Sequence, residues 1–115
     1  MTASRSSPSD VRSASFTIAS MWVDDVELQL MSADLVVVRR DETTDLDWEC
    51  VALTIPGDAL PLAPVRLVMD DLFSSRRFLG DAVVVRSDEQ RHVFRGGGAL
   101  NGINADDGLD EKDPS

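Results

Sequence analysis

Residues 77–101, RFLGDAVVVRSDEQRHVFRGGGALN, constrain the fold more than any other stretch of the chain. A run centred on Val83, Val84 and Val85 leads into the polar segment Ser87, Asp88, Glu89 and Gln90, and a return run carries Val93 and Phe94. β-Branched residues are restricted at χ1 and pack well on a pleated surface. Two such runs joined by a polar connection of hairpin length predict an antiparallel pair, read here as the centre of the fold. Gly96, Gly97 and Gly98 close the stretch. Three residues without Cβ mark a bulge, a bend or a place where another backbone passes close. They do not form a phosphate-binding loop, because no helix pattern, Lys or Ser/Thr follows at the required offset.

The rest of the chain repeats the same grammar of short β-type runs separated by turns. The sequence Phe16, Thr17, Ile18 alternates, and Val26, Leu28 and Leu30 alternate with Glu27 and Gln29 after a turn at Asp24-Asp25. The continuous run Leu35, Val36, Val37, Val38 reads as a strand buried on both faces. Between Trp48 and Ile55 the period is two: Val51, Leu53 and Ile55 share one face, and Trp48, Cys50 and Ala52 the other. Pro56-Gly57-Asp58 is a turn, and Pro61 and Pro64 bracket a rigid connector.

Residues 65–73 fit two templates. Val65, Val68, Met69, Leu72 and Phe73 match a helical face, whereas Val65, Leu67 and Met69 match a strand that turns at Asp70-Asp71. The β-type neighbours on both sides favour the strand, with a short helix as the alternative. A last short edge is expected at Ala99, Leu100 and Ile103. The fold class is therefore all-β, a small barrel or sandwich of about seven or eight short strands.

At 115 residues the chain is expected to form one domain. Residues 1–15 are Ser-rich and aperiodic, and residues 104–115 carry five acids against one Lys, so both read as flexible arms around a β domain at 16–103. The formal charge of -10 provides no footprint for a phosphate backbone or an anionic membrane surface. Protein partners are expected instead, with no nucleic acid and no membrane. Cys50 is the only cysteine, which excludes an intrachain disulfide. The first residues lack the apolar core of a signal peptide, so a cytoplasmic location, or assembly into a particle in the cytoplasm, is expected.

No residues form a catalytic pattern, and no cofactor or metal is expected. His92 is the single histidine, most simply a surface or strand residue of the hairpin. Cys50, in a strand with Trp48, reads as a small core residue. Asp24-Asp25, Asp70-Asp71 and Asp106-Asp107 lack the alternating spacing of a calcium loop and read as turns and solvated tail. Trp48 reads as core. Trp22, next to Met21 and ahead of two acids, reads as an exposed interface anchor. Arg76, Arg77, Arg91 and Arg95, with Arg39, Arg40 and Arg86, suggest either a scattered solvated surface or a local basic strip on an acidic protein. An acidic face or tail of a neighbouring copy would complement it. The candidate interface is thus Trp22, Arg76, Arg77, Arg91, Arg95, Gly96, Gly97 and Gly98.

One resemblance follows from the hairpin. Gly80-Asp81-Ala82-Val83-Val84-Val85, a turn, and Phe94-Arg95-Gly96-Gly97-Gly98-Ala99-Leu100 resemble the tail-tube and related small β-barrel proteins of tailed phages and phage-like particles. It covers residues 78–100 only. Ala99 stands where that pattern often has Pro, and no long hairpin arm for lining a tube is present. The resemblance implies a non-enzymatic subunit of a symmetric particle whose arms are ordered by neighbours. With the charge pattern, it makes a structural or assembly module, an oligomer or particle subunit that contacts its neighbours through arms and edge strands, the leading expectation. The alternative is a monomeric adaptor or regulatory module that binds a basic protein through its acidic face.

Overall fold

A computed structural model of the chain describes residues 12–39, 46–103 and 107. The expectations for residues 1–11, 40–45, 104–106 and 108–115 lie outside these. Seven strands account for most of the described residues: β1 (Arg12–Val23), β2 (Val26–Glu27), β3 (Leu30–Arg39), β4 (Leu46–Thr54), β5 (Pro64–Asp71), β6 (Arg77–Ser87) and β7 (Arg91–Asn101). Six of them close into an antiparallel barrel in the order β1-β3-β4-β7-β6-β5, with β5 returning to β1; β2 adds a two-residue ribbon to β1.

The chain builds two three-stranded meanders, β1-β3-β4 and β5-β6-β7, and joins them at two seams. One seam pairs Glu49–Leu53 of β4 with Arg91–Arg95 of β7, and the other pairs β1 with β5. β1 serves both meanders. Its first part, Arg12 to Thr17, pairs with β3, and from Ile18 onward it pairs with β5. The register shifts between Ile18 and Ser20, so the extra residue Ala19 turns the strand around this corner. Similar shifts at Met31 in β3 and Val85 in β6 bend the wall further, and each places a large apolar side chain outside the barrel.

Period-two alternation fills the interior. Phe78, Phe94, Met21, Leu35, Leu67, Met69, Val37, Val84 and Cys50 are fully buried. A barrel of this size is packed by its own side chains rather than hollow. Trp48, Cys50 and Ala52 form the inward face of β4, while Leu53 and Ile55 point out, as their spacing predicts.

The segment at 65–73 is strand β5 through Asp71, as the favoured reading has it; Leu72 and Phe73, which completed the helical match, stand exposed in the turn after it. Four expectations change. The Asp70-Asp71 pair closes β5 instead of turning it. The run at 35–38 is buried on one face only, because Leu35 and Val37 point inward and Val36 is 40% exposed. Strand β1 begins at Arg12, inside the stretch read as an arm, since Ser13, Ala14 and Ser15 pair with Val38, Val37 and Val36. The strand expected at 26–30 is divided: Leu28 donates its amide to the Met21 carbonyl, and Leu30 opens β3. Asp24 and Asp25 do form the predicted turn, both at positive φ (49° and 71°), the two-residue hairpin geometry that Asp tolerates.

Candidate functional site

The central hairpin pairs β6 with β7 as its sequence predicts, but the return strand runs on through the glycines to Asn101 instead of leaving a separate short edge at 99–103. Asp88 builds its turn: Oδ1 accepts the amides of Gln90 (2.8 Å) and Arg91 (2.7 Å), which holds the carboxyl below its ordinary value. Opposite the turn, the three glycines have unequal roles. A Cβ on Gly96 would overlap the indole of Trp48, and one on Gly80 would lie 2.7 Å from Trp48 Cζ2. The indole therefore lies under two residues that lack side chains, and its Nε1 donates to the Gly98 carbonyl at 3.1 Å. A Cβ on Gly98 would meet nothing within 4 Å. Gly97, Gly98 and Ala99 bulge outward between the paired positions Ala82↔Gly96 and Gly80↔Leu100. The glycines thus mark a bend in the sheet over a buried tryptophan.

His92 is buried, not on the surface. Its ring joins an oriented chain of hydrogen bonds. Thr54 Oγ1 donates its one proton to the Gln90 carbonyl (3.4 Å), so it accepts from His92 Nε2 (3.2 Å). The neutral ring then accepts at Nδ1 from Ser87 Oγ (2.6 Å), which itself accepts the Leu60 amide (2.7 Å). The Thr54 end, closed on a backbone carbonyl, sets the neutral tautomer. Burial pushes His92 below the ordinary imidazole value, against a weaker pull from Asp88. The chain fastens the crossing connection, residues 55–63, to the hairpin; Gly57 N to Glu89 O (2.9 Å) and Val84 N to Ala63 O (3.1 Å) fasten it further. The Ser–His pair is a clasp whose hydroxyl is committed on both sides. Beside it lies a surface groove of about 220 Å³ lined by Glu27, Gln29, Thr54, Asp58, Leu60 and His92.

Cys50 packs in the core with its thiol pushed up to about 12, chiefly by burial and then by the Asp34 and Glu49 carboxylates. It carries no thiolate at neutral pH. Among the described residues, no three of His, Cys, Asp and Glu converge as metal ligands would.

Of the arginines read as one strip, Arg40 lies outside the described residues, Arg39 ends β3 half-buried, and the other five fall into two groups. At the start of β6, Arg76 places Nη1 on both Asp107 oxygens (3.0 and 2.9 Å) and lies over the rings of Phe16 and Phe78. Arg77 chelates Asp70 (2.7 and 3.1 Å) and covers Trp22, 5.3 Å from its ring centre. Trp22 is therefore half-buried and engaged, not an open anchor. Asp107, read as solvated tail, is fixed by Arg76. Arg86, Arg91 and Arg95 lie elsewhere, exposed on the outer wall of β6 and β7.

That outer wall carries the feature the sequence reading missed. Val36, Leu53, Val83 and Val85 are 39–46% exposed on β3, β4 and β6. Its signal was available: the run at 35–38 and Val83-Val84-Val85 are apolar on both faces, although each strand has only one inside.

Fold and site together define a closed, side-chain-filled β-barrel with an apolar, charge-studded outer wall. Compared with family models, curated proteins and solved structures, the chain matches none. Among the described residues, no helix is long and apolar enough to cross a membrane.

Proposed function

We propose that this protein is a non-enzymatic structural or assembly module, a subunit that joins copies of itself or other subunits of a particle. The observation that carries the reading is the outer wall, where Val36, Leu53, Val83 and Val85 remain exposed outside a barrel packed with its own side chains. An interior packed with side chains provides binding surface only on its exterior. The hairpin resemblance suggests a phage-like particle as the setting. Light scattering of the full chain, followed across a wide concentration range, tests the proposal. Species larger than a monomer are expected. A strictly monomeric chain at every concentration would overturn self-assembly and favour the adaptor that binds a basic partner.

A further inference from the structure

The pairing registers arrange the outer wall in rows that run across β3, β4, β7 and β6. One row reads Val36, Glu49, Arg95, Val83, and the next reads Asp34, Val51, Val93, Arg86. A third begins Ser32, Leu53, Arg91. Acids stand on the β3–β4 half and arginines on the β7–β6 half, with aliphatic side chains at the ends of one row and the middle of the next.

Such a pattern is complementary to itself. Consider a second copy laid face to face, related by a two-fold axis that runs along the strands between β4 and β7. The axis exchanges β3 with β6 and β4 with β7 while leaving each row opposite itself. Asp34 then faces the second copy's Arg86, Glu49 faces its Arg95, Val36 faces its Val83, and Val51 faces its largely buried Val93, while in the third row Leu53 lies against the stem of its Arg91. An isologous interface requires this self-matching. Shifting the two copies laterally by one strand puts the axis on β4 or β7 and opposes Glu49 to Glu49 or Arg95 to Arg95, which is costly.

The ion pairs point to the same face. Arg66–Asp81, Arg76–Asp107 and Arg77–Asp70 satisfy cations on the β5–β6 side of the barrel. Asp34, Glu49, Arg86, Arg91 and Arg95 are all exposed and form no ion pair among the described residues, although Glu49 and Arg95 are register partners. Among the described residues these side chains have no ion-pair partner, and the row pattern supplies one from a second copy.

We infer that the β3-β4-β7-β6 wall is the surface through which two copies of this chain dimerise, with the acidic half of each on the arginine half of the other. The inference rests on the assembly reading and names its partner and surface. A convex barrel wall buries less than a flat one, so the contact falls at the small end of specific interfaces, and the dimer is concentration-dependent.

Sedimentation of the full chain and two double variants tests it. Asp34→Arg/Glu49→Arg turns the wall basic, and Arg86→Glu/Arg95→Glu turns it acidic. All four residues are exposed, so the fold is retained. Each variant alone is expected to weaken dimerisation about a hundredfold through like-charge opposition, while an equimolar mixture of the two associates as a heterodimer. Recovery in the mixture also shows that both variants are folded. If the wild-type chain associates and both variants do so equally well, this face is wrong but self-assembly stands. If the variants are monomeric and their mixture remains so, the pairing of acidic with basic halves is overturned. A wild-type chain that is monomeric throughout overturns both readings.

Discussion

Gly96, Gly97 and Gly98 look equivalent in the sequence, and the structure predicts that substituting each with alanine has a different result. At Gly96 the new methyl must enter space held by Nε1, Cε2 and Cδ1 of Trp48, well inside the ~3.5–4 Å at which carbon atoms pack. The indole cannot swing away, since it is buried, pinned to the Gly98 carbonyl and covered by Gly80. Overpacking of this kind costs about 1–3 kcal/mol. Displacing the ring also strains a hydrogen bond worth about 1 kcal/mol. Gly96→Ala should therefore destabilise by about 2–4 kcal/mol. At about 4–8 °C per kcal/mol for a domain of this size, the melting temperature falls by roughly 10–25 °C.

Gly98→Ala meets no neighbour, and its backbone is not in the left-handed region. It should be neutral, or stabilise by about 0.4–1 kcal/mol by narrowing the unfolded ensemble. Gly97→Ala meets only ordinary contacts, from 3.5 Å outward, and should lie close to neutral. Urea unfolding followed by circular dichroism gives the three values. Repeating Gly96→Ala in a Trp48→Phe background isolates the clash, because the smaller ring leaves room and the cost should fall by about 1.5 kcal/mol or more. Equal costs at Gly96 and Gly98, or an unchanged Gly96 cost in the Trp48→Phe background, would refute the account of Trp48 beneath the glycines.

Stability should also report on His92. The folded state disfavours its protonation, so its contribution is complete above the unfolded value near 6.5 and is lost as pH falls toward the lowered folded value. Chemical denaturation between pH 7 and 5 should show a decline that His92→Gln abolishes; the lowered carboxyls of Asp70 and Asp88 act only below about pH 4. Cys50 should resist a thiol reagent at pH 8 in the native state and react at once in denaturant, so that its labelling rate follows opening of the core. Asp107→Ala should cost about 1–2 kcal/mol by thermal unfolding, because it leaves the largely enclosed Arg76 without that carboxylate. Asp81→Ala, which removes a pair exposed on both sides, should cost less than about 1 kcal/mol.

The parts of this protein legible in its sequence are those set by neighbours close along the chain. Trp48 to Ile55 declared its two faces through period-two spacing, and the hairpin at 77–101 declared itself through its turn. Residues 65–73 stayed ambiguous because Leu72 and Phe73 satisfied a helical period while in fact occupying an exposed turn. The glycine triplet was visible as an anomaly, but its cause lies fifty positions away at Trp48. Ser87 and His92 flank the turn symmetrically, so their pairing was readable from the hairpin; Thr54 and Leu60 were not, because they arrive from the crossing connection. The single arginine strip failed for a related reason. Sequence proximity grouped Arg76 and Arg77 with Arg86, whereas an extended strand of ~3.3 Å per residue carries them nearly 30 Å apart.

The switch of β1 from β3 to β5 at Ala19 sets an order of events during synthesis. Strands β1, β3 and β4 can zip together as they emerge, but the second half of β1 has no β5 until residues 67–71 follow, and β4 has no β7 until residues 91–95. Both seams close across long stretches of chain, which makes closure the slow step. A nascent chain that ends before Pro64 carries two raw strand edges at once, and such edges recruit strands from other chains. The half-made barrel is therefore the adhesive form of this protein, and arrival of β7 at β4 seals the last of them.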